Sequence, residues 1–180
     1  MAEDIQNILL LEDSPTDAEL IKRQVKKVFP KARFTVADGR KEFEEKIKWT
    51  APQLIISDYN LAESYTGLEA LFYVREHMPH VPFVFVTGFL NDEEKVADAV
   101  LNGAAGYILK DNLRELPNRL REIIDESARK FREAEARRQR ERENRMLLQK
   151  TIAMAEAVKH SDNGKALLDT LLHIQRNMEA

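Results

Sequence analysis

Short, unbroken apolar runs divide the first 110 residues at regular intervals: Ile8-Leu9-Leu10-Leu11, Leu54-Ile55-Ile56, Phe83-Val84-Phe85-Val86 and Tyr107-Ile108-Leu109, with a weaker one at Phe34-Thr35-Val36. Runs that do not alternate with polar residues are what strands buried on both faces of a parallel sheet require. Between them lie polar segments of helical length with apolar positions three and four apart, as at Leu20, Ile21, Val25 and Val28. The punctuation agrees. Ser14-Pro15-Thr16-Asp17 places a cap residue, then proline at the first helical position, then an acid in the first turn. Asp38-Gly39 and Asn102-Gly103 are turn and helix-end signals. The predicted order is a strand and a helix, five times over. Right-handed crossovers then give an α/β fold with a doubly wound parallel sheet in three layers.

Beyond residue 110 the pattern changes to a single long helix, starting near Asn112 and without a stop until Ser161-Asp162-Asn163-Gly164. Pro117 falls about one turn in and marks either the first turn or a kink. A 4-3 spacing runs through Leu120, Ile124, Ser127, Phe131, Ala134, Arg138, Glu141, Arg145, Leu148, Ile152 and Ala155. Its ends are apolar and its middle charged, which makes a partial coiled-coil seam. Glu133–Arg137 and Glu141–Arg145, at four-residue spacing, are expected to support it. The expected organisation is a domain over 1–127, a coiled-coil helix over 128–160 and a short helical tail over 161–180. That tail carries a second seam of Leu167, Leu171, Ile174 and Met178.

Composition sharpens this division. All six prolines and five of the six glycines fall at or before Pro117, and a compact domain needs both to turn corners. Residues 1–128 carry 16 basic and 23 acidic side chains, whereas residues 129–145 carry 8 and 4. There is no cysteine, which excludes disulfides, thiolate metal sites and a cysteine nucleophile. No apolar run approaches the roughly 18–20 residues that span a bilayer, and the acidic Met-Ala-Glu-Asp-Ile-Gln start is unlike a signal peptide. A cytoplasmic protein with no membrane partner is expected. Acidity of the front argues against nucleic-acid binding through a broad basic face. In Arg137-Arg138-Gln139-Arg140-Glu141-Arg142 the interleaved glutamates favour a solvated helix face over a DNA-binding region.

Ligands of open α/β sheets bind outside the carboxyl ends of the strands. Glu12-Asp13 follow the first run, Ser57-Asp58 the third, Thr87-Gly88 the fourth and Lys110 the fifth. Each alone has a plain structural reading as a cap, a turn or a solvated strand end. Together they bring three carboxylates, a hydroxyl and an ammonium to one edge. Clustered carboxylates with only oxygen donors favour a hard cation such as Mg²⁺. A carboxylate beside that cation, a lysine and a hydroxyl is suited to phosphoryl transfer.

These residues resemble the receiver (response-regulator) domain of two-component signalling over about residues 5–127. The resemblance implies the flavodoxin-like (βα)5 fold. It also implies that Asp58 is the phosphoacceptor and that Asp13 and Asp58 bind Mg²⁺ with the backbone carbonyl of Asn60, while Glu12 acts through metal-bound water. Thr87 and Lys110 would contact phosphoryl oxygens, and Tyr107 would be the aromatic switch that follows Thr87. The implied partner is a sensor histidine kinase or phosphotransfer protein, and the implied role is signalling rather than enzymatic turnover. A haloacid-dehalogenase-like phosphatase is a poorer match, because it wants an acid two residues after the nucleophile, where this chain has Asn60.

Three positions depart from the family pattern. Ala62 stands where proline is usual, in a loop one residue longer. Asp111 replaces the proline that usually follows the lysine. This puts the customary cis peptide in doubt, since a cis bond before a non-proline residue costs about 2.5–4 kcal/mol. Phe89, two residues after Thr87, is bulky and apolar, and is expected to slow hydrolysis of an aspartyl phosphate by obstructing water. The remaining segment reads as a signalling helix that pairs with a second copy. The alternatives are the front of a larger regulator with a GAF, cyclase or histidine-kinase type of output, or a phosphorylation-independent dimeric scaffold. Neither His160 nor His173 sits in a phosphodonor pattern. Phe89→Ala should shorten the lifetime of a phosphoryl group on Asp58, read by intact mass against time; an unchanged lifetime removes that role from Phe89.

Overall fold

The structure, a computed structural model, describes residues 5–61, 65–88, 93–157 and 162–179. Ala62, Phe89 and His160 therefore lie outside the described residues. The order is β1 (Asn7–Leu11), α1 (Pro15–Val25), β2 (Arg33–Ala37), α2 (Arg40–Thr50), β3 (Leu54–Ser57), α3 (Gly67–His77), β4 (Phe83–Thr87), α4 (Glu93–Leu101), β5 (Gly106–Leu109), a 3-10 turn (Lys110–Asn112), α5 (Leu116–Ala157) and α6 (Asp162–Glu179). All five predicted strands are present, and every pairing is parallel in the order β2-β1-β3-β4-β5. This is the flavodoxin-like order, with its switch point between β1 and β3.

The unbroken apolar runs serve two cores. Ile8 and Leu10, Leu54 and Ile56, and Val84 and Val86 face one side, where Ala18, Ile21 and Val25 of α1 and Leu116, Leu120 and Ile124 of α5 cover them. Leu9 and Leu11, Ile55, and Phe83 and Phe85 face the other, under Phe43 and Ile47 of α2, Ala70, Leu71 and Val74 of α3, and Ala99 of α4. Period-two alternation thus survives inside each run as a choice between two buried faces. The cap signals also act as expected. Ser14 Oγ accepts from Asp17 N–H at 3.3 Å, with Pro15 at the first helical position. In α3, Thr66 and Glu69 form a complete capping box.

The chain divides into two units, Met1–Lys130 and Phe131–Ala180. The expected helix start near Asn112 is corrected: residues 110–112 make a 3-10 turn, and α5 begins at Leu116 with Pro117 in its first turn, where a missing N–H costs nothing. The expected break at Asn163-Gly164 is also corrected, since both residues lie in the first turn of α6. Within the second unit, Ile152, Ala155 and Gly164 are buried, while residues 131–147 are exposed all round. Glu141 pairs backward with Arg137 at 2.9 Å. Among the described residues no helix is long and apolar enough to cross a membrane.

Gly67 is the tightest point in the sheet's carboxyl edge. A Cβ there would stand 2.2 Å from the Asp58 carbonyl oxygen and 2.9 Å from Ser57 Oγ. The first of these is backbone and cannot rotate away. Gly67→Ala should therefore cost about 3 kcal/mol through overpacking, read as a lower urea midpoint at constant slope. An unchanged midpoint would show that the loop after Asp58 gives way freely.

Candidate functional site

Parallel pairing carries the strand-end residues to one edge. Leu11 sits opposite Ser57 in the β1–β3 register, so Glu12 and Asp58 leave adjacent strands at the same level. Asp58 N–H donates to the Leu11 carbonyl at 2.9 Å, and Glu12 N–H donates to that of Ala37 at 2.9 Å. The strand ladder is thereby extended by one residue on each side of the site. Glu12, Asp58 and Thr87 are buried polar residues in a shell otherwise dominated by apolar ones, and such residues are rarely buried without partners.

Lys110 supplies the partner. Its Nζ lies 2.7 Å from Asp58 Oδ2 and 2.6 Å from Asp17 Oδ2, both as hydrogen bonds, and 2.9 Å from Glu12 Oε2 as an ion pair. Asp58 Oδ1 accepts from Tyr59 N–H at 2.6 Å and Asn60 N–H at 3.3 Å. The acceptor carboxylate is thus held on both oxygens, one by backbone and one by the lysine. Glu12 Oε1 accepts from Ser14 N–H at 3.2 Å. Burial pushes the Glu12 carboxyl above its ordinary value, against the hydrogen bond and charge of Lys110, which pull it back. Burial alone would lower the Lys110 ammonium; the hydrogen bonds to Asp17, Asp58 and Glu12 outweigh it and hold the ammonium above its ordinary value.

The sequence-predicted residues fall as follows. Glu12, Asp58 and Lys110 come into direct contact. Thr87 ends β4, buried, and its Oγ1 has no hydrogen-bond partner among the described residues. The Gly88 Cα carries no side chain against Lys110, whose Cδ would lie 3.9 Å from a Cβ there. Tyr107 is partly buried beside the second core, its ring 6.2 Å from that of Phe85. Asn60 forms an antiparallel bridge with Thr66 that closes the loop after Asp58. The peptide after Lys110 is trans, as no cis bond occurs among the described residues.

Asp17 belongs to the pocket although the strand-end rule does not find it. It lies in the first turn of α1, five residues past Glu12, and its sequence signal is only that of an acid near a helix start. Among the described residues no group of three acidic or histidine side chains stands ready as a metal site; the carboxylates that do converge, converge on Lys110. The donors assigned to a metal are Glu12, Asp13, Asp58 and the Asn60 carbonyl. All are hard oxygens in excess of the one lysine charge, and that chemistry fits Mg²⁺.

A parallel sheet in this order, with a lysine-bridged acidic pocket at its carboxyl edge, defines the class as a flavodoxin-like α/β domain with a charged site at the switch point. Comparison with known families narrows it further: residues 8–122 match the response regulator receiver domain, and the chain belongs to that family, a signalling domain rather than a conventional enzyme. Over 77 residues it is 32% identical to the oxygen regulatory protein NreC of Staphylococcus haemolyticus, covering 43% of this chain and 35% of that one. It thus spans about a third of the length of this curated relative. Among solved structures, a CheY-like receiver domain protein from Methanospirillum hungatei is similar with a TM-score of 0.60 at 24% identity, over 70% of this chain and 98% of that one. The Mn(2+)-bound form of response regulator Rcp1 is similar with a TM-score of 0.53 at 22% identity, over 62% and 88%. These two likenesses concern the fold.

Lys110→Ala tests the electrostatics of the pocket. Glu12 loses the pairing that opposes the effect of its burial, so its carboxyl should titrate at higher pH than in the wild type, followed by carboxyl ¹³C resonance. A carboxyl raised above 4.5 binds a proton in the folded state that the unfolded chain has released. Stability from this group therefore declines as pH rises from 4.5 through the folded value, and more steeply in the variant. No upward movement would show that Lys110 does not pair with Glu12.

Proposed function

We propose that Asp58 accepts a phosphoryl group from a phosphohistidine of a sensor histidine kinase or phosphotransfer protein, in a Mg²⁺-dependent reaction, and that the C-terminal helix transmits the resulting state as a dimer. The observation that carries this reading is the part-buried Asp58–Lys110 contact at 2.7 Å beside buried Glu12. A carboxylate so placed is a nucleophile with a cation already at hand for the oxygens of the incoming group.

In the proposed step an Asp58 oxygen forms a bond to phosphorus as the phosphorus–nitrogen bond of the donor breaks. The bonding pair leaves with the donor imidazole, which takes up a proton. Lys110 and the unpartnered hydroxyl of Thr87 then hold phosphoryl oxygens. Asp13 and Asp58, with the Asn60 carbonyl, would hold the Mg²⁺, whose chemistry is to neutralise charge between carboxylates and phosphoryl oxygens. Thr87 drawn toward the new group leaves room that Tyr107, already partly buried against Phe85, can occupy.

The transmission half of the proposal is supported by α5. Residues 131–147 are exposed in the single chain, and a helix gains most of its stability from a packed face. A second copy would supply such a face to Phe131, Ala134 and Leu148. The charged middle of the seam favours a modest, switchable association. Direct DNA binding and a membrane partner form no part of this reading, which places the protein in the cytoplasm.

Incubation with Mg²⁺ and acetyl phosphate should add the mass of one phosphoryl group to the wild type and none to Asp58→Asn. No adduct on either protein would sink the phosphoacceptor reading. Light scattering on the same samples should give a dimer in at least one state, and a strict monomer in both would sink the dimerising helix.

A further inference from the structure

The start of α1 contains a cap that has been redirected. Ser14 Oγ accepts from Asp17 N–H, which puts Asp17 at the position where an acidic side chain ordinarily turns back to the N–H of the cap residue. Helix α3 shows that arrangement complete: Glu69 Oε2 accepts from Thr66 N–H at 2.9 Å and from Thr66 Oγ1 at 3.0 Å. In α1 the Ser14 N–H goes instead to Glu12 Oε1. The Asp17 carboxylate, relieved of that duty, reaches across 93 residues of sequence to Lys110 Nζ at 2.6 Å, the shortest of the three contacts around this ammonium.

An ammonium has three N–H groups, and three carboxylates surround this one. A phosphoryl group arriving on Asp58 turns that carboxylate into an acyl phosphate, so the N–H it held passes to a phosphoryl oxygen, and a second phosphoryl contact to this ammonium requires Glu12 or Asp17 to let go. Those two differ in what release costs them, as their exposure shows. The Glu12 side chain is 0% exposed and that of Asp58 10%, whereas that of Asp17 is 34% exposed. A buried carboxylate stripped of its cation has no water to replace it, while a partly exposed one is rehydrated.

We propose that Asp17 is a positioning residue for Lys110, holding its ammonium in the unphosphorylated pocket and competing for it with the phosphoryl group. This rests on the phosphoacceptor reading and adds a residue to it. The site then has a built-in threshold. The mark on Asp58 gains a second hold on Lys110 only by displacing Asp17, and the strength of the Asp17 contact sets how readily the fully held state forms.

The test uses the full chain with beryllofluoride as phosphoryl mimic at saturating Mg²⁺, with affinity read by ¹⁹F NMR. Asp17→Asn keeps the shape and removes the charge, and should bind the mimic about tenfold more tightly, the scale of one charge-assisted hydrogen bond. In the wild type, binding should move the Asp17 carboxyl ¹³C resonance to the position it has in mimic-free Lys110→Ala. Unchanged or weaker binding by Asp17→Asn overturns the inference. So does tighter binding with an unmoved Asp17 resonance in the wild type, because general charge relief would then explain the gain. A wild-type chain that takes up no mimic overturns the phosphoacceptor reading itself, and this inference with it; uptake with either of the other outcomes overturns the inference alone.

Discussion

The Lys110 ammonium is the constraint around which the carboxyl edge of the sheet is arranged. Glu12 and Asp58 are buried at the carboxyl edge of a sheet whose strand residues Leu11, Ile56, Phe85 and Val86 are fully buried and apolar, where an isolated carboxylate is costly. One cation shared among three acids makes their burial tolerable, and the balance is deliberately incomplete. Three formal negative charges face one positive charge, so the pocket keeps an appetite for further positive charge that hydrogen bonding from backbone cannot satisfy. An additional negative group, by contrast, enters only by rearranging what Lys110 already holds. On the proposed function, the same shortage of cation that would favour a divalent metal would also make the site responsive to a phosphoryl group.

Such a balance works only if the groups cannot drift, and the backbone supplies that rigidity. Asp58 is pinned by its own N–H to Leu11, by two N–H groups on Oδ1, and by the absence of a side chain at Gly67 behind its carbonyl. Glu12 is fixed through Ala37 on one side and Ser14 on the other. Lys110 stands at the end of β5, whose register on β4 is set by four residue pairs ending at Thr87 and Leu109. Strand ends in a parallel sheet are thus more than a convenient location. They are where extended, two-sided burial stops and polar side chains first have room, while the ladder still fixes their height.

Much of this was legible in the chain. Unbroken apolar runs identified four strands, because burial on both faces removes the polar alternation a one-sided sheet would show, and the weaker Phe34-Thr35-Val36 run marked the partly exposed edge strand β2. Ser14 and Pro15 marked the start of α1, since capping is local chemistry. Glu12, Asp58 and Lys110, which the structure brings into contact, stood out because an apolar run that ends in a charged residue is conspicuous. What escaped depended on distance. Asp17 looks like any first-turn acid, and only the fold shows that Lys110, 93 residues away, takes the side chain that Ser14 does not need. The start of α5 was placed too early because residues 110–112 have helical turn character without an i to i−4 ladder. The break near Gly164 was misplaced for a related reason. Glycine opposes a helix interior but is tolerated in the first turn, where backbone groups are not yet committed.

The position of Lys110 also bears on how a local event at Asp58 could reach the rest of the domain. Lys110 ends a strand and opens the 3-10 turn that leads to Leu116. Leu116, Leu120 and Ile124 lie in the same core as Ile108 of β5 and Ile21 and Val25 of α1. Asp17, on α1, and Lys110, before α5, therefore tie together the two helices that share this face of the sheet. A change in which carboxylate Lys110 holds is felt at the base of both. A response carried this way needs no large displacement, because close-packed interiors shift between discrete arrangements rather than deforming smoothly. Tyr107, the proposed aromatic switch, lies on the opposite face, its ring 6.2 Å from that of Phe85. One charged side chain, placed between the two faces, is in a position to bear on both, and under the proposed function this is how the pocket would act on the domain beyond the few residues that line it.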